Sequence, residues 1–178
     1  FQVIEPALDY PVTDGGIQNR ATRTYMSISQ DGRFLVINGG PKPRLTVVDV
    51  DAWSLKTVPL KGLTTNWGVS FNYSPGYEEV LAVHGKSKLG IFRFLGSQAP
   101  ALLASASIAA YTGGSSNFPD YFYMAPDIVW SGSGDRVVAA SGAVRSLAIF
   151  RFSSGPPGRL QSDGGIQGCS SKRPGWEP

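Results

Sequence analysis

The sequence has almost nothing with which to build a metal cage or a disulfide frame. Its 178 residues hold one cysteine, Cys169, and one histidine, His84. A lone thiol excludes an intramolecular disulfide, and one His with one Cys falls short of the clustered ligands that a zinc site needs. Neither a metal nor a cofactor is expected. Charge is scarce as well, at 16% of residues, below the roughly 25% of an ordinary soluble domain. With a net charge of only +3 the chain lacks the basic excess that phosphate-backbone binding requires, so nucleic acid is not an expected partner. No run of about 18 apolar residues occurs, which excludes a membrane-spanning helix.

What the chain does have is turn chemistry between short apolar runs. Its 22 glycines and 13 prolines suit many tight turns, and one turn-and-strand pattern occurs three times. Asp31-Gly32-Arg33 leads through Phe34-Leu35-Val36-Ile37 to Leu45-Thr46-Val47-Val48-Asp49-Val50. Pro75-Gly76 leads through Val80-Leu81-Ala82-Val83 to Leu89-Gly90-Ile91-Phe92-Arg93-Phe94. Gly134-Asp135-Arg136 leads through Val137-Val138-Ala139-Ala140 to Leu147-Ala148-Ile149-Phe150-Arg151-Phe152. Turn glycine and strand leucine are 13 residues apart in each copy. A repeat of about 40–50 residues made only of strand and turn predicts propeller blades. The fold class is therefore all-β, a partial β-propeller of four-stranded antiparallel blades.

The predicted blades cover approximately 24–60, 67–107 and 127–161 of an incomplete propeller domain over 1–167. Residues 168–178 read as a polar tail or the truncated start of a further blade. The first blade has strands at Tyr25–Ile28, Phe34–Asn38, Leu45–Val50 and Leu55–Leu60. The second has Gly68–Asn72, Val80–His84, Leu89–Leu95 and Ala101–Ser107. The third has Asp127–Trp130, Arg136–Ala140, Leu147–Phe152 and a short Arg159–Gln161. Asp14-Gly15-Gly16-Ile17-Gln18 recurs as Asp163-Gly164-Gly165-Ile166-Gln167, and the second copy is expected to open a fourth unit. The start at Phe1, in mid-pattern, reads as a processed chain or a piece of a longer one. Three blades leave two apolar faces bare, because a closed propeller takes about 4–8. The chain is then a fragment, or it self-associates through its open blade faces.

Gln30-Asp31-Gly32-Arg33-Phe34-Leu35-Val36-Ile37-Asn38 with Leu45-Thr46-Val47-Val48-Asp49 is similar to the YVTN family of propeller repeats. Asp127-Ile-Val-Trp-Ser-Gly-Ser-Gly-Asp-Arg through Leu147-Ala-Ile-Phe-Arg-Phe to Gly158-Arg159-Leu160 resembles a blade of the lactonase-type seven-bladed propellers. That resemblance implies, as one possible activity, a hydrolase or cyclase using His, Glu and Arg on its channel face, with catalytic residues partly outside this chain. No residue here matches those one by one. The WD-repeat family is a weaker match: His84-Gly85 reverses its Gly-His pair, and Val48-Asp49, Phe92-Arg93 and Phe150-Arg151 replace its Trp-Asp.

The loops between second and third strands carry the clearer functional signal. They place Lys42, Arg44, Lys86, Lys88 and Arg145 at one end of the blades, with Arg23 and Arg20 entering the first. The insertion containing Tyr111, Phe118, Tyr121, Phe122 and Tyr123 would overhang that end. Cations beside aromatics suit a non-catalytic platform for an acidic protein segment or a small anionic ligand. His84 reads either as a rim ligand and candidate base or as an ordinary strand-end residue. Gly85-Lys86-Ser87 fails as a phosphate-binding loop, since Val80 stands where that motif needs glycine and a strand follows instead of a helix.

Overall fold

The computed structural model describes residues 26–38, 42–64, 68–85, 88–108, 127–141 and 146–166. All regular structure among them is strand. The first sheet holds β1 (Met26–Ile28), β2 (Phe34–Asn38), β3 (Arg44–Asp49) and β4 (Ser54–Pro59) in that order. The second holds β5 (Gly68–Phe71), β6 (Val80–His84), β7 (Lys88–Arg93) and β8 (Ala101–Ser107). The third holds β9 (Asp127–Trp130), β10 (Arg136–Ser141), β11 (Ser146–Ser153) and β12 (Arg159–Ile166). All pairings are antiparallel between consecutive strands, which is the meander of a propeller blade.

Period-two alternation decides what each blade buries. Val36, Leu45, Val47 and Val58 of the first blade pack on Val69, Phe71, Leu81, Val83, Phe92 and Phe94 of the second. From the second blade's other side, Val80, Ala82, Leu89 and Ile91 pack on Ile128, Val137, Ala139, Ala148, Phe150 and Phe152 of the third. Both faces of the middle sheet are thus covered, and every residue of β6 is buried. The continuous apolar run Val80-Leu81-Ala82-Val83 suits a strand covered on both faces. Phe94 meets Phe34 and Phe71 edge-on at 5.4 and 5.0 Å between ring centres. Its counterpart Phe152 meets Trp130 and Tyr77, each at 6.2 Å.

Two sequence expectations need correcting. The fourth strand of the third blade is not short, and Asp163-Gly164-Gly165-Ile166 is part of it instead of opening a new unit. The register passes from Phe150↔Ser162 to Ile149↔Gly164, so Asp163 is the extra residue of a β-bulge. Gly164, at φ +123, accommodates the bend. The bulge aims Asp163 at Arg136 Nε, which donates to it at 2.9 Å, and at Arg151, 3.6 Å away. Leu103 is the bulged residue at the matching place in the second blade, between Leu102 and Ala104. The earlier Asp14–Gln18 copy and the 168–178 tail lie outside the described residues.

The constant 13-residue spacing has a different origin in the second unit. Ser29 N–H bonds Phe34 O and Ser131 N–H bonds Arg136 O, whereas the matching bond runs from Asn72 N–H to Val80 O, a turn three residues longer. The following hairpin, from His84 to Leu89, is two residues shorter than Asn38 to Leu45. The extra turn length docks the second blade on the third. Asn72 Nδ2 donates to Gly134 O at 2.8 Å, and Ser74 Oγ donates to Gly132 O at 3.0 Å.

Gly134 and Gly32 share a left-handed backbone, at φ +74 and +76, but not their surroundings. A Cβ on Gly134 would stand 2.6 Å from Ser74 Cβ, while one on Gly32 meets nothing within 4 Å. Gly32→Ala should cost about 1–2 kcal/mol from the backbone alone. Gly134→Ala should lose a further ~1–3 kcal/mol from overpacking the blade contact. Urea unfolding of the two variants side by side checks the difference, and equal losses would contradict the docked turn.

Candidate functional site

Strand direction divides the blades into two ends. At the turn end lie the connections β1–β2 and β3–β4 and their equivalents. At the loop end lie the β2–β3 type loops and the crossings between blades. Turn-end charges are tied into local structure. Ser29 Oγ donates to Asp31 Oδ1 at 2.5 Å and accepts the Phe34 N–H at 2.9 Å. Ser131 Oγ repeats the second bond with Arg136 N–H at 3.1 Å, and Ser133 donates to Asp135. These hydroxyls, with the Arg33 N–H on Asp31, hold both carboxyls below the usual carboxylate range. The Ala52 N–H and then Arg33, 3.0 Å away, do the same for Asp49. A cleft of about 550 Å³ opens here between the first two blades, lined by Asp31, Phe34, Glu78, Glu79, Phe94 and Leu95. Glu78 accepts the Gly76 N–H at 2.8 Å, which lowers its pKa.

The loop end is built differently. Arg44 and Lys88 both open a third strand, one residue before the matched Leu45 and Leu89. They are therefore repeat-equivalent and stand at the same end of adjacent blades. Lys42 lies just upstream, its carbonyl accepting the Arg44 N–H at 2.9 Å. Pro43 O accepts the Leu60 N–H at 2.7 Å, which fastens this loop to the exit of β4 and brings Lys61 beside it. Lys42, Lys61 and Lys88 are exposed and Arg44 is half-buried. Asp127 opens β9 at the same end. Lys61 was not among the sequence candidates. Its signal was readable, since a residue just past the fourth strand returns to the end where the second strand finished.

The sequence candidates Arg23, Lys86, Arg145, Tyr121 and Tyr123 lie outside the described residues, as do Arg20, Tyr111, Phe118 and Phe122. His84 is within them, and it is not a rim residue. It ends β6 with 3% of its surface exposed, and its Nδ1 has no hydrogen-bond partner. Alternation explains the burial, because His84 follows Val80 and Ala82 on the face turned to the third blade. Burial pushes its pKa down to about 4, so the ring is neutral at pH 7. No cluster of metal-ligating side chains occurs among the described residues.

Comparison with known proteins bears on the fold. No protein-family model matches the chain, and no curated protein does. Solved structures do match. Hsv2 of Kluyveromyces lactis aligns at TM-score 0.54 and 12% identity, over 79% of this chain and 46% of that one. The β-propeller domain of Myceliophteria thermophila Cps50 (Swd1) aligns at 0.53 and 15%, over 83% and 42%. A candidate 6-phosphogluconolactonase from Bacteroides uniformis aligns at 0.56 and 16%, over 79% and 40%. At these identities the likeness establishes the fold and nothing finer: the chain is a partial β-propeller, spanning less than half the length of these neighbours. Among the described residues no helix is long and apolar enough to cross a membrane.

The buried histidine sets a pH dependence. Its pKa falls from about 6.5 when unfolded to about 4 when folded, so the unfolded chain binds the extra proton between those values. Stability is full above pH 6.5 and falls as pH drops toward 4, by about 3 kcal/mol at the limit of complete burial. His84→Gln should remove that step while leaving the steeper losses below pH 4 that come from Asp31, Asp49 and Asp135. Urea midpoints of both proteins at pH 7 and 4.5 check this, and parallel acid losses would contradict a buried neutral ring.

Proposed function

We propose that the chain is a non-catalytic propeller platform that takes an acidic protein segment, or another anionic ligand, on its loop end. The observation that carries this reading is the repeat-equivalent pair Arg44 and Lys88 on adjacent blades, with Lys42 and Lys61 at the same end. Cations held at matching positions of successive blades present a row spaced by the blade repeat. An extended acidic segment can follow such a row one blade at a time. Flexible lysines at the rim favour steering and modest affinity over a deep, desolvated ion pair. Lys86, Arg145 and Arg23, with Tyr121 and Tyr123, extend the same proposal by their place in the sequence. Within the propeller class, the Asp31-Gly32-Arg33 turn and the strand after it favour a YVTN or lactonase-type repeat over a WD repeat.

A lactonase-like hydrolase is the alternative that the repeat resemblance raises. It calls for a titratable group facing substrate, and His84 is enclosed between blades and neutral.

The test uses a fluorescein-labelled polyglutamate peptide and reads binding by anisotropy at several salt concentrations. The wild type should bind, more weakly as salt rises. The triple variant Lys42→Glu, Lys61→Glu, Lys88→Glu should bind roughly tenfold or more weakly, about 1.4 kcal/mol, with a shallower salt dependence. Equal binding by the two proteins would overturn the assignment.

A further inference from the structure

The cleft at the turn end, between the first and second blades, joins an apolar base to acidic walls. Phe34 and Phe94 belong to the core between these blades and reach its lining, and Leu95, 41% exposed, adds apolar surface. Asp31 lines it from the first blade, and Glu78 and Glu79 line it from the second. No Lys, Arg or His is among the lining residues, although the net charge of the chain is +3. The repeat marks one of these acids as a departure. The bonds from Val50 N–H to Arg33 O, Phe94 N–H to Glu79 O and Phe152 N–H to Asp135 O make Arg33, Glu79 and Asp135 equivalent. Arg33 pairs with Asp49 at 3.0 Å, and Asp135 pairs with Arg136 at 3.5 Å. Glu79 is exposed and forms no ion pair among the described residues. An acid thus stands where the first blade has a guanidinium, and its charge is not compensated within the blades.

We propose that this cleft docks a basic segment of a partner protein, with an arginine side chain entering between the blades. A compact cation does not suit it, because no three acidic or other metal-ligating side chains among the described residues are grouped to hold a metal ion. An organic cation on an apolar stem satisfies both parts of the lining. Its methylenes lie on Phe34, Phe94 and Leu95 while its head reaches the carboxylates. The chain builds the same arrangement for itself beside the cleft. Arg33 Cζ lies 4.9 Å from the centre of the Phe34 ring, with Arg33 Nη2 3.0 Å from Asp49. A partner arginine would repeat that combination of ring and carboxylate. The volume of about 550 Å³ falls in the range of roughly 300–1,000 Å³ over which clefts enclose ligands. The base is preformed, since the core holds Phe34 and Phe94 edge-on to each other, so docking orders little besides the incoming segment. Gln30, exposed on the lining, offers a donor and an acceptor together. A peptide group matches that pair and a polyamine, which only donates, does not. The cleft lies at the opposite end of the blades from Lys42, Lys61 and Lys88, so it is independent of the acidic segment proposed there.

The experiment is fluorescence anisotropy on the full chain with a short fluorescein-labelled peptide of alternating arginine and glycine. The wild type should bind it, more weakly as salt rises, and should not bind the same peptide carrying neutral citrulline for arginine. The double variant Glu78→Gln, Glu79→Gln, at two exposed positions, should bind roughly three- to tenfold more weakly with a shallower salt dependence. Leu95→Ser should also bind more weakly, but with the salt dependence of the wild type, a signature that diffuse attraction to acidic surface does not give. Circular dichroism checks that both variants are folded. A wild type that shows no binding up to about 1 mM overturns the proposal, and so does equal binding by the wild type and the glutamine variant. Full retention of binding in Leu95→Ser overturns the cleft as the site. Displacement of the peptide by spermine at equal or lower concentration overturns the choice of a protein partner in favour of a small polyamine.

Discussion

Burial of both faces of a blade is the constraint on which the rest of this molecule depends. A four-stranded sheet whose second and third strands are apolar on both sides cannot stand alone in water. Each fully buried Phe or Leu contributes roughly 1.5–3 kcal/mol only while a neighbour excludes solvent from it. The middle blade satisfies this on its own terms: Leu81, Val83 and Phe92 face one neighbour, and Ala82, Leu89 and Ile91 face the other. The same requirement shows in how fully Asn72 is bonded where the second blade meets the third, although His84 Nδ1 in that junction has no partner. Asn72, at 0% exposure, holds Ser74 N–H through its oxygen and Gly134 O through its nitrogen. A buried amide with either bond missing would cost about 1–3 kcal/mol.

From that constraint follows a division of labour between the two ends. Blades must be aligned accurately for their faces to interdigitate, and the turn end does the aligning. Serine caps at Ser29 and Ser131 fix the turns of their own blades, and the Asn72 bridge and Tyr73 OH donating to Ile28 O at 2.6 Å tie neighbouring blades together there. Asp31, Asp49 and Asp135 at that end are committed to these turns or to Arg33 and Arg136. At the loop end the lysines stand out from the strand termini, where they interfere little with packing. Arg44 and Lys88 recur at matching positions of adjacent blades at that end, which is why the proposed site lies there.

The architecture was largely legible in the sequence because it rests on alternation and turn chemistry, both local. β2, β6, β8 and β9 were readable to the residue, since each is an apolar or alternating run bounded by glycine, proline or aspartate. Where local rules failed, a tertiary demand had overridden them. Asp163-Gly164-Gly165 has the composition of a turn, but Arg136 and Arg151 on the paired strands draw Asp163 into a bulge within β12. The even glycine spacing concealed a longer turn, because a compensating shorter hairpin leaves no trace in a distance along the chain. The basic end was legible in part. Loop position announces Arg44 and Lys88, and Lys61 was equally readable, because a residue just past the fourth strand returns to the same end, where the bond between Leu60 and Pro43 seats it. His84 shows the opposite failure. A histidine beside a glycine at a strand end reads as a rim residue, and only the strand's two-sided burial encloses it.

The repeat itself provides an internal control that a single fold does not. Three versions of one structural position can be compared, two of them in junctions and one at an open face, so departures from the pattern carry meaning. Ser27 accepts the Phe71 N–H through its hydroxyl and Ser70 accepts the Trp130 indole N–H through its main-chain carbonyl, so a small residue suffices where the next blade's inner strand arrives. Arg136 and Arg151 are opposite each other across β10 and β11, a repulsive arrangement for two cations, and Asp163 lies against both. Asp135, 3.5 Å from Arg136, adds a second carboxylate, so two acids meet the two guanidiniums within this blade.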